Sequence, residues 1–223
     1  MQGNYAYVEK LNRHSRIMPL RGKIATLGRN SFVAPNSSVI GDVQIGNQSS
    51  VWYNTVLRGD VNSIVIGDES VISDRSVVHC SSGNGPKGAQ PTVVGNRVYV
   101  GPGSIIHACK IEDDVHIGAG SIVYDGAVVE AGAQLEAGSL VTAGKRVPAG
   151  QLWAGSPAKF VREVSAADKE MHQLTISDNN TLSAEHEVQT SKSAKQQHID
   201  QLENFAHRRE RPENILNPAT AHN

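Results

Sequence analysis

The sequence predicts an all-β fold: a parallel β-helix of about six triangular coils, followed by C-terminal α-helices. Three observations carry this. Aliphatic residues recur every six positions through most of the chain. Glycines keep the same interval at Gly120, Gly126, Gly132, Gly138, Gly144 and Gly150, and none follows Gly155. Aromatic residues are scarce, with Phe 3, Trp 2 and Tyr 5 among 223 residues, so Val, Ile, Leu and Ala must build the core. A period of six belongs neither to an α-helix nor to a lone strand, and a fixed short period marks a repeat architecture.

Residues 1–23 read as a basic N-terminal extension. Lys10, Arg13, Arg16, Arg21, Lys23 and Arg29 stand against Glu9 alone in the first 30 positions. That composition suits an organelle-targeting segment or contact with an anionic surface, and equally a solvated arm. The stretch Val8–Ile17 is amphipathic enough to touch a membrane surface.

Residues 24–164 carry the repeat. Leu27, Val33, Val39, Ile45, Val51 and Leu57 are six apart; a three-residue slip leads to Ile66, Ile72 and Val78. After an interruption come Val94, Val100 and Ile106, and after a one-residue deletion Ile111, Ile117, Val123, Val129, Leu135, Val141 and Val147. The fourth residue after each is often small, as at Ser37, Ser49, Ser70, Ser76, Ser104, Ser121, Ala127, Ala133 and Ser139. A hexad is then one short strand plus a corner. The aliphatic side chain points inward, the small residue fits the bend, and Gly, Asn or Asp accepts the left-handed backbone of the corner. Three hexads close one coil, and successive coils stack as parallel ladders. The interruption at 79–93, HCSSGNGPKGAQPTV, lacks the period and reads as a loop leaving the prism.

Residues 165–223 change character. Ser165 to Asp168 is a helix start, with Met171 and Leu174 on one face; SDNNTL at 177–182 is expected to break it. A second helix from about Ser183 would carry Ile199, Leu202 and Phe205, and an extended arm holds Pro212 and Pro218.

Bulk properties exclude several classes. A net charge of −1, from 21 basic and 22 acidic residues, argues against nucleic acid as the main partner. No apolar run approaches the ~18 residues of a membrane span, and with no apolar h-region a secretory signal is not expected. Cys80 and Cys109 cannot make a disulfide framework, so a reducing compartment is expected.

His79 and His107 each follow an inward aliphatic residue and should point outward, where neutral imidazole suits zinc. Around them, in order, come Arg58-Gly59-Asp60, Ser73-Asp74, Val78-His79, the segment Gly101 to Cys109, and Trp153 to Lys159. This ordered set, over roughly residues 20–165, resembles the gamma-class carbonic anhydrase family. It is most similar to the carbonic-anhydrase-like subunits of mitochondrial respiratory complex I, which share the RGD-V-N stretch, the H-x-C segment, the C-terminal helix and the basic start.

The resemblance implies a left-handed coil, a trimer, and zinc at subunit interfaces held by three histidines, two from one subunit and one from its neighbour. The first family ligand falls on His79 and the last on His107. The middle one falls on Pro102, which cannot ligate, and His116 lies where the family has no ligand. Catalytic zinc needs three protein ligands and an open position, so a homotrimer should be inactive. A heterotrimer with two other carbonic-anhydrase-like subunits would hold zinc only where a neighbour supplies the third histidine.

Arg58 and Asp60 match a pair that holds the trimer interface, and Asp74 matches an active-site acid, while Ser73 replaces the usual Gln. Cys109 is expected to pack, and Cys80 has no assigned role. The implied role is structural or assembly-related, on the matrix side of the mitochondrial inner membrane against the membrane arm of complex I. An active zinc carbonic anhydrase is the alternative. A hexapeptide-repeat acyltransferase with a histidine base near a CoA cleft is the third.

Overall fold

In the computed structural model, which describes residues 14–83, 88–193, 196, 199 and 200, each hexad folds as a short strand and a corner. The strands stack in parallel, in register, as three ladders. One runs Phe32–Val33, Ser50–Val51, Val71–Ile72, Tyr99–Val100, His116–Ile117, Gln134–Leu135 and Gln151–Ala154. The second starts at Thr26–Leu27 and ends at Arg146–Val147. The third starts at Ile17–Met18, passes Val77–His79 and Ile105–His107, and ends at Leu140–Val141. The solenoid has about seven turns, slightly more than the hexads account for, because Ile17–Met18 and Gln151–Ala154 add rungs at its two ends.

Every aliphatic position of the hexad series is buried except Leu27, which is 42% exposed. Among the described residues Leu27 sits on the first rung of its ladder and pairs on one side only, with Ser38–Ile45, and no described coil closes over its side chain.

The corners are held by the small residues. The buried Ser49, Ser70 and Ser76 donate to the carbonyls of Gly67, Gly95 and Gly101 in the next coil, at 2.6, 2.7 and 3.2 Å. A serine there satisfies a buried carbonyl that a purely apolar corner would orphan. The regular glycines adopt φ between +64° and +70°, the left-handed corner conformation. In the earlier coils Gln48, Glu69, Arg75 and Arg97 occupy that conformation instead, which is why glycine marks the period only in the second half.

The three-residue slip is absorbed without a break. Val56–Ile66 stays extended across one corner, and its register with Ser38–Ile45 shifts between Gly41 and Val43. The slack gathers at Val61-Asn62-Ser63, immediately after Asp60. The interruption is shorter than 79–93, because His79 ends the strand Val77–His79 and Thr92–Val94 rejoins the ladders; between them the amide of Ser81 donates to the Gln90 carbonyl at 3.0 Å.

The C-terminal region departs from expectation. One helix, α1 (Ala166–Ser191), runs straight through 177–182. Ser165 and Asp168 form the expected capping box, with Asp168 N donating to Ser165 Oγ at 3.2 Å and Ser165 N to Asp168 Oδ2 at 2.8 Å. The polar run does not break α1 because its side chains bond back onto the helix: Asn179 Nδ2 donates to the Thr175 carbonyl and Thr181 Oγ1 to that of Ser177. The face that carries Met171 and Leu174 is exposed, Met171 at 63%, whereas His172, Ile176 and Ser183 are buried. Ile176 packs in a cluster with Phe32, Trp52 and Val71, against which Tyr53 and Tyr99 also pack, so four of the aromatics gather outside the prism core near the helix.

Helical backbone resumes at Gln196, Ile199 and Asp200 beyond a break at Lys192–Ser193. Leu202, Phe205, the arm with Pro212 and Pro218, and most of the basic extension lie outside the described residues.

Candidate metal site

Ladder register decides which residues meet. Arg58 pairs with His79, and His79 with His107. Leu57, Val78 and Ile106 point inward, so their successors stand in one outward column on successive coils. Both histidines are half-buried.

Their nitrogens are individually committed. His79 Nε2 lies 3.0 Å from Asp60 Oδ1, and His107 Nδ1 is hydrogen-bonded to Asp125 Oδ1. The two inner nitrogens, His79 Nδ1 and His107 Nε2, face each other at 3.1 Å. Ionised carboxylates accept only. Each neutral imidazole therefore spends its single N–H on a carboxylate, and two lone pairs are left facing. That arrangement is stabilised by a positive charge shared between the two nitrogens. Tetrahedral zinc with Zn–N bonds near 2.0–2.1 Å would set two imidazole nitrogens about 3.3 Å apart, close to the observed gap. An imidazole backed by a carboxylate is also the usual arrangement around a metal-bound histidine. The residues present thus fit two of the ligands of a zinc ion.

Among the described residues, a set of three donors also gathers at Asp60, His79 and Cys80. It is the poorer site. Burial raises the Cys80 thiol above its ordinary pKa, and its Sγ donates to the Asn62 carbonyl at 3.1 Å. The one free nitrogen of His79 faces His107 instead.

Arg58 Nη1 stands 3.5 Å from Asp60 Oδ2. Burial alone would raise the Asp60 carboxyl, but the His79 hydrogen bond and the Arg58 charge outweigh it and hold the group below the ordinary carboxylate range. Asp60 therefore stays an acceptor for His79.

Pro102 and Asp74 lie elsewhere. Both sit in the corner that precedes the strands ending in His107 and His79, so the width of the face separates them from the imidazoles of the same chain. Within that corner they are neighbours through the Gly103 amide, which donates to the Asp74 carbonyl at 2.8 Å. Asp74 Oδ1 accepts the Tyr53 amide at 3.0 Å. Ser73 is buried.

Cys109 packs in the core, where burial pushes its thiol up to about 12. His116 belongs to a different ladder, stacked on Tyr99 at 4.8 Å and facing His172 of α1 at 3.4 Å. It cannot reach the pair.

Sequence reasoning missed two residues here. Asp125 is two positions past the inward Val123, one coil beyond His107; an acid at that corner in the adjoining coil was the available signal. His172 carried none, because its role depends on where α1 docks.

Comparison with known proteins bears on the fold and the family. The models "Bacterial transferase hexapeptide (six repeats)" and "Hexapeptide repeat of succinyl-transferase" match residues 24–59 and residues 91–124 and 108–143, respectively. A hexapeptide transferase family protein from Anaplasma phagocytophilum has a solved structure similar to this one, with a TM-score of 0.69 and 41% identity, over 75% of this chain and 95% of that one. Among curated relatives, an uncharacterised protein of Dictyostelium discoideum is 56% identical over 97% of this chain and 88% of its own length. Gamma carbonic anhydrase 2, mitochondrial, of Arabidopsis thaliana is 40% identical over 90% of this chain and 72% of its own. The solenoid is thus a hexapeptide-repeat, left-handed β-helix. Within that class the chain belongs to the gamma carbonic anhydrase family. No helix among the described residues is long and apolar enough to cross a membrane.

Proposed function

We propose that this chain is a structural or assembly subunit of mitochondrial NADH:ubiquinone oxidoreductase, placed in a carbonic-anhydrase-like heterotrimer on the matrix side of the inner membrane and not catalytic by itself. The observation that carries the reading is the separation of His79 and His107 from Pro102 on one sheet face. The chain offers a two-imidazole half-site at one edge and a ligand-free corner at the other. In a trimer built as in the family, its half-site is completed by a neighbour's histidine, while its own corner leaves the opposite interface without one. The mitochondrial relative and the basic start support the location; the complex I assignment rests on the resemblance in the RGD-V-N, H-x-C and helix segments.

At a completed interface His79 and His107 present two lone pairs to a common point. Asp60 and Asp125 hold the rings, and Arg58 balances Asp60. Zinc bound there supplies the Lewis acidity that carbon dioxide hydration requires.

Native gels of isolated mitochondria, with the chain's mass and the metal content of its oligomer measured in the same bands, test the reading. The expected result is co-migration with complex I and zinc below one per interface. Migration only as a free homotrimer contradicts it. The paired carboxylates also favour the alternative, an active zinc carbonic anhydrase; purified chain that binds zinc and hydrates carbon dioxide alone would establish that instead. CoA binding would favour an acyltransferase.

A further inference from the structure

We propose that Asp125 is a positioning residue of this site: its carboxylate holds the His107 imidazole in the tautomer whose Nε2 lone pair faces His79 Nδ1. This rests on the reading of His79 and His107 as metal ligands.

The corner that carries Asp125 follows the strand Ile122–Val123, one coil beyond Ile105–His107. Coil-to-coil bonds fix it on both sides. The Gly126 amide donates to the Ala108 carbonyl at 2.7 Å, and the Gly144 amide to the Asp125 carbonyl at 2.8 Å. Gly126, at φ +64°, completes the turn. The carboxylate is therefore delivered to His107 Nδ1 by rigid backbone, although its side chain is 47% exposed. Its hydrogen bond to His107 is the side-chain contact that constrains its chemistry.

Without an acceptor-only partner, Nδ1 and Nε2 of His107 compete for one hydrogen. A hydrogen on Nε2 would point it at His79 Nδ1, where a metal ion must sit. Asp60 performs the same service for His79 from the preceding coil. The two carboxylates thus bracket the imidazole pair from opposite ends of one column, and each fixes one tautomer. Outer partners of this kind change metal affinity by about 10–100-fold.

The test uses the full chain carrying Pro102→His, which returns the third imidazole to a homotrimer. Zinc affinity is measured by competition with a chromophoric chelator, alone and with Asp125→Asn or Asp125→Glu added. Nitrogen NMR of the His107 imidazole in the metal-free wild type and Asp125→Asn reads the tautomer directly. Asn is isosteric, but its amide can donate or accept. We expect Asp125→Asn to weaken zinc about 10–100-fold and to mix the His107 tautomers, Asp125→Glu to recover most of the affinity, and thermal stability to stay unchanged. Zinc affinity within twofold of the parent, or an unchanged tautomer, overturns the role of Asp125 and leaves the metal reading intact. A folded Pro102→His chain that takes up no zinc removes the metal reading, and this proposal with it.

Discussion

Replacing His116 by Phe should make the protein markedly less sensitive to acid. His116 lies mostly buried between Tyr99 and His172, and burial pushes its pKa from 6.5 down to about 4, with the His172 charge acting in the same direction. Burial likewise lowers His172, whose Nε2–H donates to the Arg97 carbonyl at 2.8 Å. That bond leaves His172 Nδ1 as an acceptor, so His116 Nδ1 donates to it, and neutral rings satisfy the whole contact. A proton added to His172 Nδ1 sets two donors face to face at 3.4 Å, and one added to His116 Nε2 charges a mostly buried ring beside His172.

The unfolded chain takes up this proton near pH 6.5 and the folded chain near 4, so the stability is present above 6.5 and lost as pH falls through that window. From the two values the loss is about 2.5 kcal/mol by pH 4.5, approaching about 3 kcal/mol below 4. His116→Phe keeps a ring against Tyr99 and costs about 1 kcal/mol at pH 7.5 for the lost hydrogen bond. Its further loss on acidification should then be smaller than the wild type's by about 2.5 kcal/mol. Urea titrations followed by circular dichroism at pH 7.5 and 4.5 measure both. Equal acid losses in the two proteins would refute the reasoning.

Two further outcomes follow from the prism. Ile106 is fully buried in the core beside the site, so Ile106→Ala should destabilise the protein by about 2–5 kcal/mol in urea titration, without changing which residues form the outward column. A Cβ at Gly46 would stand 2.5 Å from the Gly67 backbone carbon of the next coil, whereas one at Gly103 meets nothing within 4 Å. Gly46→Ala should therefore lower the melting temperature well beyond Gly103→Ala, whose cost is only the roughly 1–2 kcal/mol of left-handed backbone; equal effects would contradict the stacking of these two corners.

The prism was legible because its period is a property of each hexad. Val78 and Ile106 are buried for the same local reason as Val123, and phase alone identifies all three. The same phase put His79 and His107 outward. It did not show that their rings meet, which follows from Ile105–His107 pairing directly with Val77–His79 after the loop between them. Nor did it show Asp60 and Asp125 bracketing them, since those acids come from coils on either side. The helix passes through the polar run at 177–182 because local polarity alone does not decide whether a helix breaks. Thr175, Asn179 and Thr181 satisfy their own side chains on α1, and the aromatic prism face beneath accepts His172 and Ile176 rather than Met171 and Leu174.

The sequence by itself determined the strand period, the inward residues, the corner chemistry and the loss of a ligand at Pro102, because each of these depends on a residue and its near neighbours. The tertiary structure decided which outward groups touch. Residues 28 apart, His79 and His107, share hydrogen-bond distance only because stacked coils place them in register one strand spacing apart, and no local pattern encodes that distance.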